Sequence, residues 1–145
     1  MSQCQCSSCS CTPKCVGIAA DHGGLDRKSL VKEQLAAQGI EVHDFGADSC
    51  DPQDDYPDFA AKLAQAQVKG EICCGILICR SGIGMSIAAN RFHGVRAALA
   101  ETVANAKMSR QHNDANVLVT GGEDMTDDET TEVVQAWLGE AFSGD

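Results

Sequence analysis

Residues 76–90 read I-L-I-C-R-S-G-I-G-M-S-I-A-A-N, and this stretch decides the fold. Apolar β-formers run into a cysteine, Cys79. A polar turn with two glycines follows, Ser81-Gly82-Ile83-Gly84, and then an alanine-rich segment of helical character. The pattern is that of a buried strand delivering a thiol to the mouth of a glycine turn that opens a helix. Backbone N–H groups of such a turn point outward and favour negative charge. The turn and the helix start both favour a thiolate over a thiol, and a thiolate acts as nucleophile or as general base. The turn itself suits either a phosphate or a developing oxyanion. Position alone is equally compatible with a buried structural cysteine and a tight turn that binds nothing.

Working outward, the chain repeats a strand followed by a helix. Residues 15–20, C-V-G-I-A-A, form the first strand and end at Asp21-His22-Gly23-Gly24. Asp26 is expected to cap a helix over 27–38, with Leu30, Val31, Leu35 and Ala36 on one face and Gly39 closing it. Strand two covers 40–45, and a polar acidic loop covers 46–56. Pro57 fits the first turn of a helix, whose buried face is Phe59, Leu63 and Ala66. Strand three covers 72–78 and its helix 84–91. Strand four covers 94–99, and a helix over 101–111 turns Ala104 and Met108 inward. Strand five covers 116–119. After Gly121-Gly122, Thr126 or Asp127 caps a last helix with the stripe Val133, Val134, Trp137, Leu138, Ala141 and Phe142. Five such repeats predict a Rossmann-like three-layer α/β/α sandwich around a five-stranded parallel sheet. Ligands of such sheets bind outside the carboxyl ends of the strands. Asp21, His22 and residues 79–84 therefore share one rim.

Composition agrees with a single domain. The 145 residues are 43% hydrophobic and only 4% aromatic, so the core is built from Val, Ile, Leu and Ala, as suits a sheet buried on both faces. The net charge of -10 argues against nucleic-acid and anionic-membrane partners. No apolar run reaches the roughly 20 residues that cross a bilayer, and no signal peptide is recognisable, so a cytoplasmic protein is expected.

Nine cysteines stand at 4, 6, 9, 11, 15, 50, 73, 74 and 79. Without a secretory signal a disulfide framework is not expected. Residues 1–14 are Ser/Cys-rich and read as a flexible tail preceding a domain over 15–145. Their C-x-C-x-x-C-x-C spacing could wrap a soft metal, or the thiols could simply be reduced. Cys73 and Cys74 read as small hydrophobes. His112, beside Asn113 and Asp114 at a helix end, suits proton transfer near neutral pH, although a surface histidine would look the same. His22 beside Asp21 poses the same choice, whereas His43 and His93 sit in a strand and a turn. No two ligand types share a helix face at i, i+4, so no metal site is expected in the domain. The acidic run from Asp124 to Glu132 reads as a solvated helix start.

Five motifs occur in order: D-H-x-G after strand one, D-Y-P before helix two, I-L-I-C-x-S-G-I-G-x-S-I-A-A-N after strand three, G-V-R-A in strand four and S-R-Q-H-N-D before strand five. Together they resemble the type B ribose-5-phosphate isomerases, in the family that includes galactose-6-phosphate isomerase subunits. The similarity spans about residues 15 to 142. The resemblance implies aldose–ketose isomerisation of a sugar phosphate with neither metal nor organic cofactor. By that resemblance, His112 opens the furanose ring and Cys79 moves a proton between C2 and C1 through a cis-enediolate. The amides of residues 81–84 (Ser81, Gly82, Ile83 and Gly84) hold the enediolate oxygens, with Ser81 assisting and Asn113 stabilising the charge. Asp21 binds sugar hydroxyls, Tyr56 lines the ring site and His22 faces the phosphate. Some relatives carry a glutamate base after the second loop glycine. Met85 stands there, which puts this chain on the cysteine-base branch. The resemblance also implies a homodimer or dimer of dimers, with each pocket completed by the neighbouring subunit.

The departures fall at the expected phosphate site. Relatives often carry arginine three residues before the D-Y-P tyrosine and after the glycine turn of strand five, where Gln53 and Glu123 stand here. They also extend beyond the last helix with further arginines. Relatives usually have glycine at the place of Arg80, so Arg80, with His22 and Arg110, is the expected substitute. The alternatives are a related substrate, such as allose 6-phosphate or galactose 6-phosphate, or a catalytically weak sugar-phosphate-binding protein.

Overall fold

The computed structural model describes residues 13–144. The expected tail over 1–14 therefore lies outside the described residues except for Pro13 and Lys14. Five strands, β1 (Cys15–Ala20), β2 (Glu41–Asp44), β3 (Cys74–Cys79), β4 (Ala97–Leu99) and β5 (Val117–Gly121), form one parallel sheet in the order β2-β1-β3-β5-β4. The helices are α1 (Leu25–Ala37), α2 (Tyr56–Val68), α3 (Ile83–Ala89), α4 (Val103–Asn113) and α5 (Asp127–Leu138). The three-layer Rossmann-like sandwich is thus as the strand–helix alternation predicts.

Alternate strand residues feed two separate cores. Val16, Ile18, Ile76, Ile78 and Leu118 face α1, α4 and α5, packing on Val31, Leu35, Ala106, Val133 and Trp137. Ala19, Leu77, Cys79, Val117 and Val119 face α2 and α3, packing on Ala60, Leu63, Ala64, Met85 and Ala89. Each fully buried Leu, Ile or Val contributes on the order of 1.5–3 kcal/mol relative to exposure. β1 and β3 are buried along their whole lengths. Among the described residues, no helix is long and apolar enough to cross a membrane.

Several local expectations are corrected. Asp26 does not cap α1. A 3-10 turn over His22–Gly24 precedes the helix, and Asp21 caps that turn by accepting from the Gly23 N–H at 2.9 Å. The inward face of α1 is Lys28, Val31 and Leu35, while Ala36 is exposed. Lys28 tolerates burial because its ammonium donates to Asp44 at 2.9 and 3.1 Å and to the Ala47 carbonyl. α4 turns Ala106 and Ser109 inward and leaves Ala104 and Met108 exposed. Ser109 can point inward because its hydroxyl donates to the Ala106 carbonyl at 2.8 Å. Thr126 is the cap of α5, in a capping box with Glu129. The α5 stripe stops at Leu138, and Ala141 and Phe142 lie beyond the helix, exposed. Cys74 is buried as expected, whereas Cys73 is half-buried and disulfide-bonded, so it is not plain apolar filler.

Candidate active site

The strand order reverses direction between β1 and β3, since the chain runs outward from β1 to β2 and then crosses back to β3. The crevice of such a sheet opens where the carboxyl ends of those two strands diverge. Asp21 follows β1 and Cys79 ends β3, so the two sit at that switch point.

Cys79 is 5% exposed, and its sulfur accepts the Gly82 N–H at 3.1 Å. An amide aimed at sulfur stabilises negative charge there. Gly82 has φ +83°, a left-handed conformation that reverses the chain directly above the thiol. A Cβ at Gly82 would also meet Leu99 at 2.5 Å. The Ser81 hydroxyl accepts the Ile83 N–H at 3.3 Å, which orders the turn from within. Gly84 is roofed by Tyr56, where an added Cβ would come within 2.5 Å of the phenol ring. Tyr56, the first residue of α2, thereby lies over the glycine turn.

The β5 end locks the same turn from the other side. The Gly122 N–H donates to the Cys79 carbonyl at 2.7 Å, and the Glu123 N–H donates to the Arg80 carbonyl at 3.3 Å. On the solvent side, Arg80 Nε meets Glu123 Oε1 at 3.2 Å. The two residues that depart from the expected pattern are therefore partners.

Asp21 is buried, and burial pushes its carboxyl pKa up, against the pull of the Gly23 N–H and of His22 and Arg80. His22 Nδ1 lies 2.6 Å from Asp54 Oδ1, and this hydrogen bond raises the imidazole pKa. The His22 N–H also donates to Asp54 Oδ1, at 3.2 Å. Asp54 was not singled out from the sequence, because nothing in the acidic loop distinguishes it from Asp48, Asp51 or Asp55. Ligand atoms of Asp21, His22 and Asp54 lie within 4.8 Å of one another. The helix-face spacing used to look for metal ligands could not see that group, since it forms between two loops. Its geometry is accounted for by Asp54 holding the His22 ring, and no metal is inferred. Asp54 also lines a cavity of about 440 Å³ beside the rim, with Asp44, Ala47, Asp51, Phe59 and Lys62.

His112 and Asn113 do not join this group within one chain. α4 leaves the carboxyl end of β4 and returns to the amino end of β5, so its last residues stand at the opposite end of the sheet. Asp114, next in sequence, confirms the placement: its carbonyl accepts from Arg96 Nε at 2.7 Å, ahead of β4. β5 has five residues, which at about 3.3 Å each separates the two ends by about 15 Å. Arg110 is also at the far end and serves the scaffold. Its guanidinium stacks on Trp137 at 4.9 Å and donates to the carbonyls of Glu140 and Ala115. The expectation that Arg110 joins Arg80 and His22 around one phosphate is therefore not met within a chain. Gln53 is exposed in the loop before α2.

Known proteins carry the same frame. The family described as Ribose/Galactose Isomerase matches residues 16–145. Ribose-5-phosphate isomerase B of Escherichia coli is 40% identical over 131 residues, 90% of this chain and 87% of that protein. The ribose-5-phosphate isomerase B structure from Clostridium thermocellum superposes with a TM-score of 0.88 at 43% identity, covering 90% of this chain and 88% of that one. The Mycoplasma genitalium enzyme, solved with bound ribulose-5-phosphate, gives 0.86 at 39% identity, covering 90% and 87%. With the family matched from β1 to the end of the chain, and the thiol, glycine turn and buried aspartate all at the switch point, this chain is a member of the ribose/galactose isomerase family.

Proposed function

We propose that the protein interconverts ribose 5-phosphate and ribulose 5-phosphate, as an aldose–ketose isomerase of the non-oxidative pentose phosphate pathway in the cytoplasm, without a metal or organic cofactor. The observation that carries this reading is the Gly82 N–H on the Cys79 sulfur inside a glycine turn at the sheet's switch point. Isomerisation needs a base between C1 and C2 and donors for the enediolate oxygen. Cys79 removes the proton from C2 and returns it to C1. The N–H groups of Gly82, Ile83 and Gly84, with the Ser81 hydroxyl, hold the negative oxygen as the cis-enediolate forms. Asp21 accepts hydrogen bonds from the sugar hydroxyls, Tyr56 covers the ring and His22 faces the phosphate.

His112 opens the furanose ring and Asn113 steadies the enediolate, both from a second copy of the chain. Two observations support an assembly. His112 and Cys79 stand at opposite ends of one sheet, so one chain alone cannot pair them. An apolar surface also flanks the glycine turn, with Ile83 and Ile87 56% and 62% exposed and Tyr56 and Leu99 each 37% exposed. Exposed apolar groups around a functional turn are the mark of a buried interface. A homodimer, or a dimer of such dimers, places the second chain's His112 over the thiol.

The test is conversion of ribose 5-phosphate by the wild-type protein and by Cys79→Ala. Removing the base is expected to lower kcat by about 10³-fold. A wild type without conversion, or equal rates for both proteins, refutes the reading. The charge arrangement favours a related sugar phosphate as the second reading, since Gln53 and Glu123 replace expected arginines. Parallel assays with allose 6-phosphate and galactose 6-phosphate separate the two.

A further inference from the structure

We propose that Arg80 is the phosphate-recognising residue of this site and that Glu123 is the carboxylate that holds it until a phosphate takes its place. The proposal rests on the reading that the rim binds a sugar phosphate, and it names how this chain does so.

The rim is acidic. Asp21 and Asp54 stand on it, and the chain carries a net charge of -10. A phosphate dianion entering there needs a strong cation. Other cations near the rim are already committed. Arg27 is largely buried, paired with Asp127 and the Met125 carbonyl. Lys28 and Lys32 both donate to Asp44, and Lys62, in the cavity beside the rim, lies over the Phe59 ring at 5.4 Å. Arg80 differs, because its side chain is 66% exposed and directly follows the catalytic thiol.

The backbone fixes where Arg80 sits. On one side its main chain packs against the β1 loop, where a Cβ on Gly23 would come within 3.1 Å of the Arg80 nitrogen. On the other side the Glu123 N–H donates to its carbonyl. Arg80 is thus wedged between the two loops that frame the crevice, within electrostatic reach of both Asp21 and His22.

Glu123 supplies the second half of the device. Its carboxylate meets Nε of Arg80 in an exposed pair, and its side chain is itself 55% exposed. Exposed ion pairs are weak and easily exchanged. A phosphate offers the guanidinium fork two charged oxygens in a matching plane and outcompetes a single carboxylate contact. With phosphate absent, Glu123 keeps the long arginine side chain ordered over the rim. With phosphate present, the pair opens, and the carboxylate must tolerate a neighbouring dianion. The design therefore sacrifices some affinity for order.

The test measures binding of inorganic phosphate by calorimetry at fixed ionic strength, alongside kinetics with ribose 5-phosphate, for the wild type, Arg80→Ala, Arg80→Lys and Glu123→Gln. Arg80→Ala is expected to weaken phosphate binding and raise KM by about tenfold or more, with the smaller change in kcat. Arg80→Lys recovers part of the loss, because it keeps the charge and loses the fork. Glu123→Gln is expected to tighten phosphate binding and lower KM by roughly two- to fivefold, since it removes the competing charge. Unchanged phosphate binding in Arg80→Ala overturns the assignment, as does a wild type that binds no phosphate. Weaker binding in Glu123→Gln overturns the role of Glu123. A wild type that binds phosphate through Arg80 yet does not convert ribose 5-phosphate refutes the proposed reaction and leaves this inference standing.

Discussion

The two ends of the sheet are built differently. At the carboxyl end, the groups on the floor of the crevice are buried and held by other parts of the fold, with the exposed Arg80–Glu123 pair only at its edge: Asp21 and Cys79 are 7% and 5% exposed, and Lys28 is buried against Asp44. At the amino end, His112 and Asn113 lie exposed on the last turn of α4, and the neighbouring ion pair, Arg96 with Asp114 at 3.3 Å, is half in solvent. One end is a preorganised pocket floor, while the other presents side chains outward. Preorganised groups fix the reacting atoms, and groups presented outward suit delivery to a neighbour. That contrast is the physical argument for a site shared between two chains.

The largest effect that could break this comparison is at the buried end. Asp44→Asn leaves the Lys28 ammonium buried without its counter-charge, and unfolding in denaturant is expected to show a loss of about 3 kcal/mol. Burial by itself raises the Asp44 pKa, but hydrogen bonds from Lys32, the Gly46 N–H and Lys28 bring it below the ordinary carboxylate value. Its stabilisation is accordingly present above about pH 4 and lost as the pH falls through the depressed value. A loss within a few tenths of a kcal/mol would show that the carboxyl end is no more rigid than the other.

Next in size is His112→Gln, expected to lower kcat by about 10²-fold with no change in folding. Mixed with Cys79→Ala and allowed to exchange subunits, it should regain about a quarter of wild-type activity, because hybrid dimers hold one intact site. No recovery on mixing would place both residues in one chain's site and remove the contrast between the two ends.

A subtler test uses Asp54. Its hydrogen bond raises the His22 pKa above 6.5, so the stabilisation it brings is fully present below that pH and lost as pH rises through the raised value. Asp54→Asn should melt below wild type in mild acid, with the two curves converging in alkali. A constant gap across pH would mean that Asp54 acts through packing and not through charge. The smallest change is expected from Asp114→Asn at the amino end. The exposed pair with Arg96 contributes about 1 kcal/mol or less, and Asn accepts the left-handed φ of +48° at this position. A thermal melt showing a larger loss would blur the distinction between the ends.

The fold was legible because strand–helix alternation survives errors of several residues at each boundary. β1 matches its expected span, and the ends of β3 and β5 move by one or two residues without altering the topology. Helix phase was less legible. Ala104 and Met108 suit a buried face by composition, yet Ser109 takes the inward position through its bond to the Ala106 carbonyl. At the site, the sequence brought together Asp21, His22 and Cys79, because each stands at or just after the end of a strand. It could not bring in Asp54, which reaches His22 from a loop 32 residues away, or reveal that Arg80 and Glu123 touch, because their pairing depends on β5 lying beside β3. Nor could motif order show that α4 carries His112 away from the rim, since that follows from the direction in which the helix runs.

The position of His112 has a consequence for any measurement in dilute solution. If every working site needs two chains, catalytic output per chain is no longer a constant of the molecule. It stays level while association is complete and falls as dilution separates the copies, by mass action alone. Below the dissociation constant the rate varies with the square of protein concentration. A dilution series followed by its initial rates would then report the strength of self-association, with the enzyme serving as its own gauge.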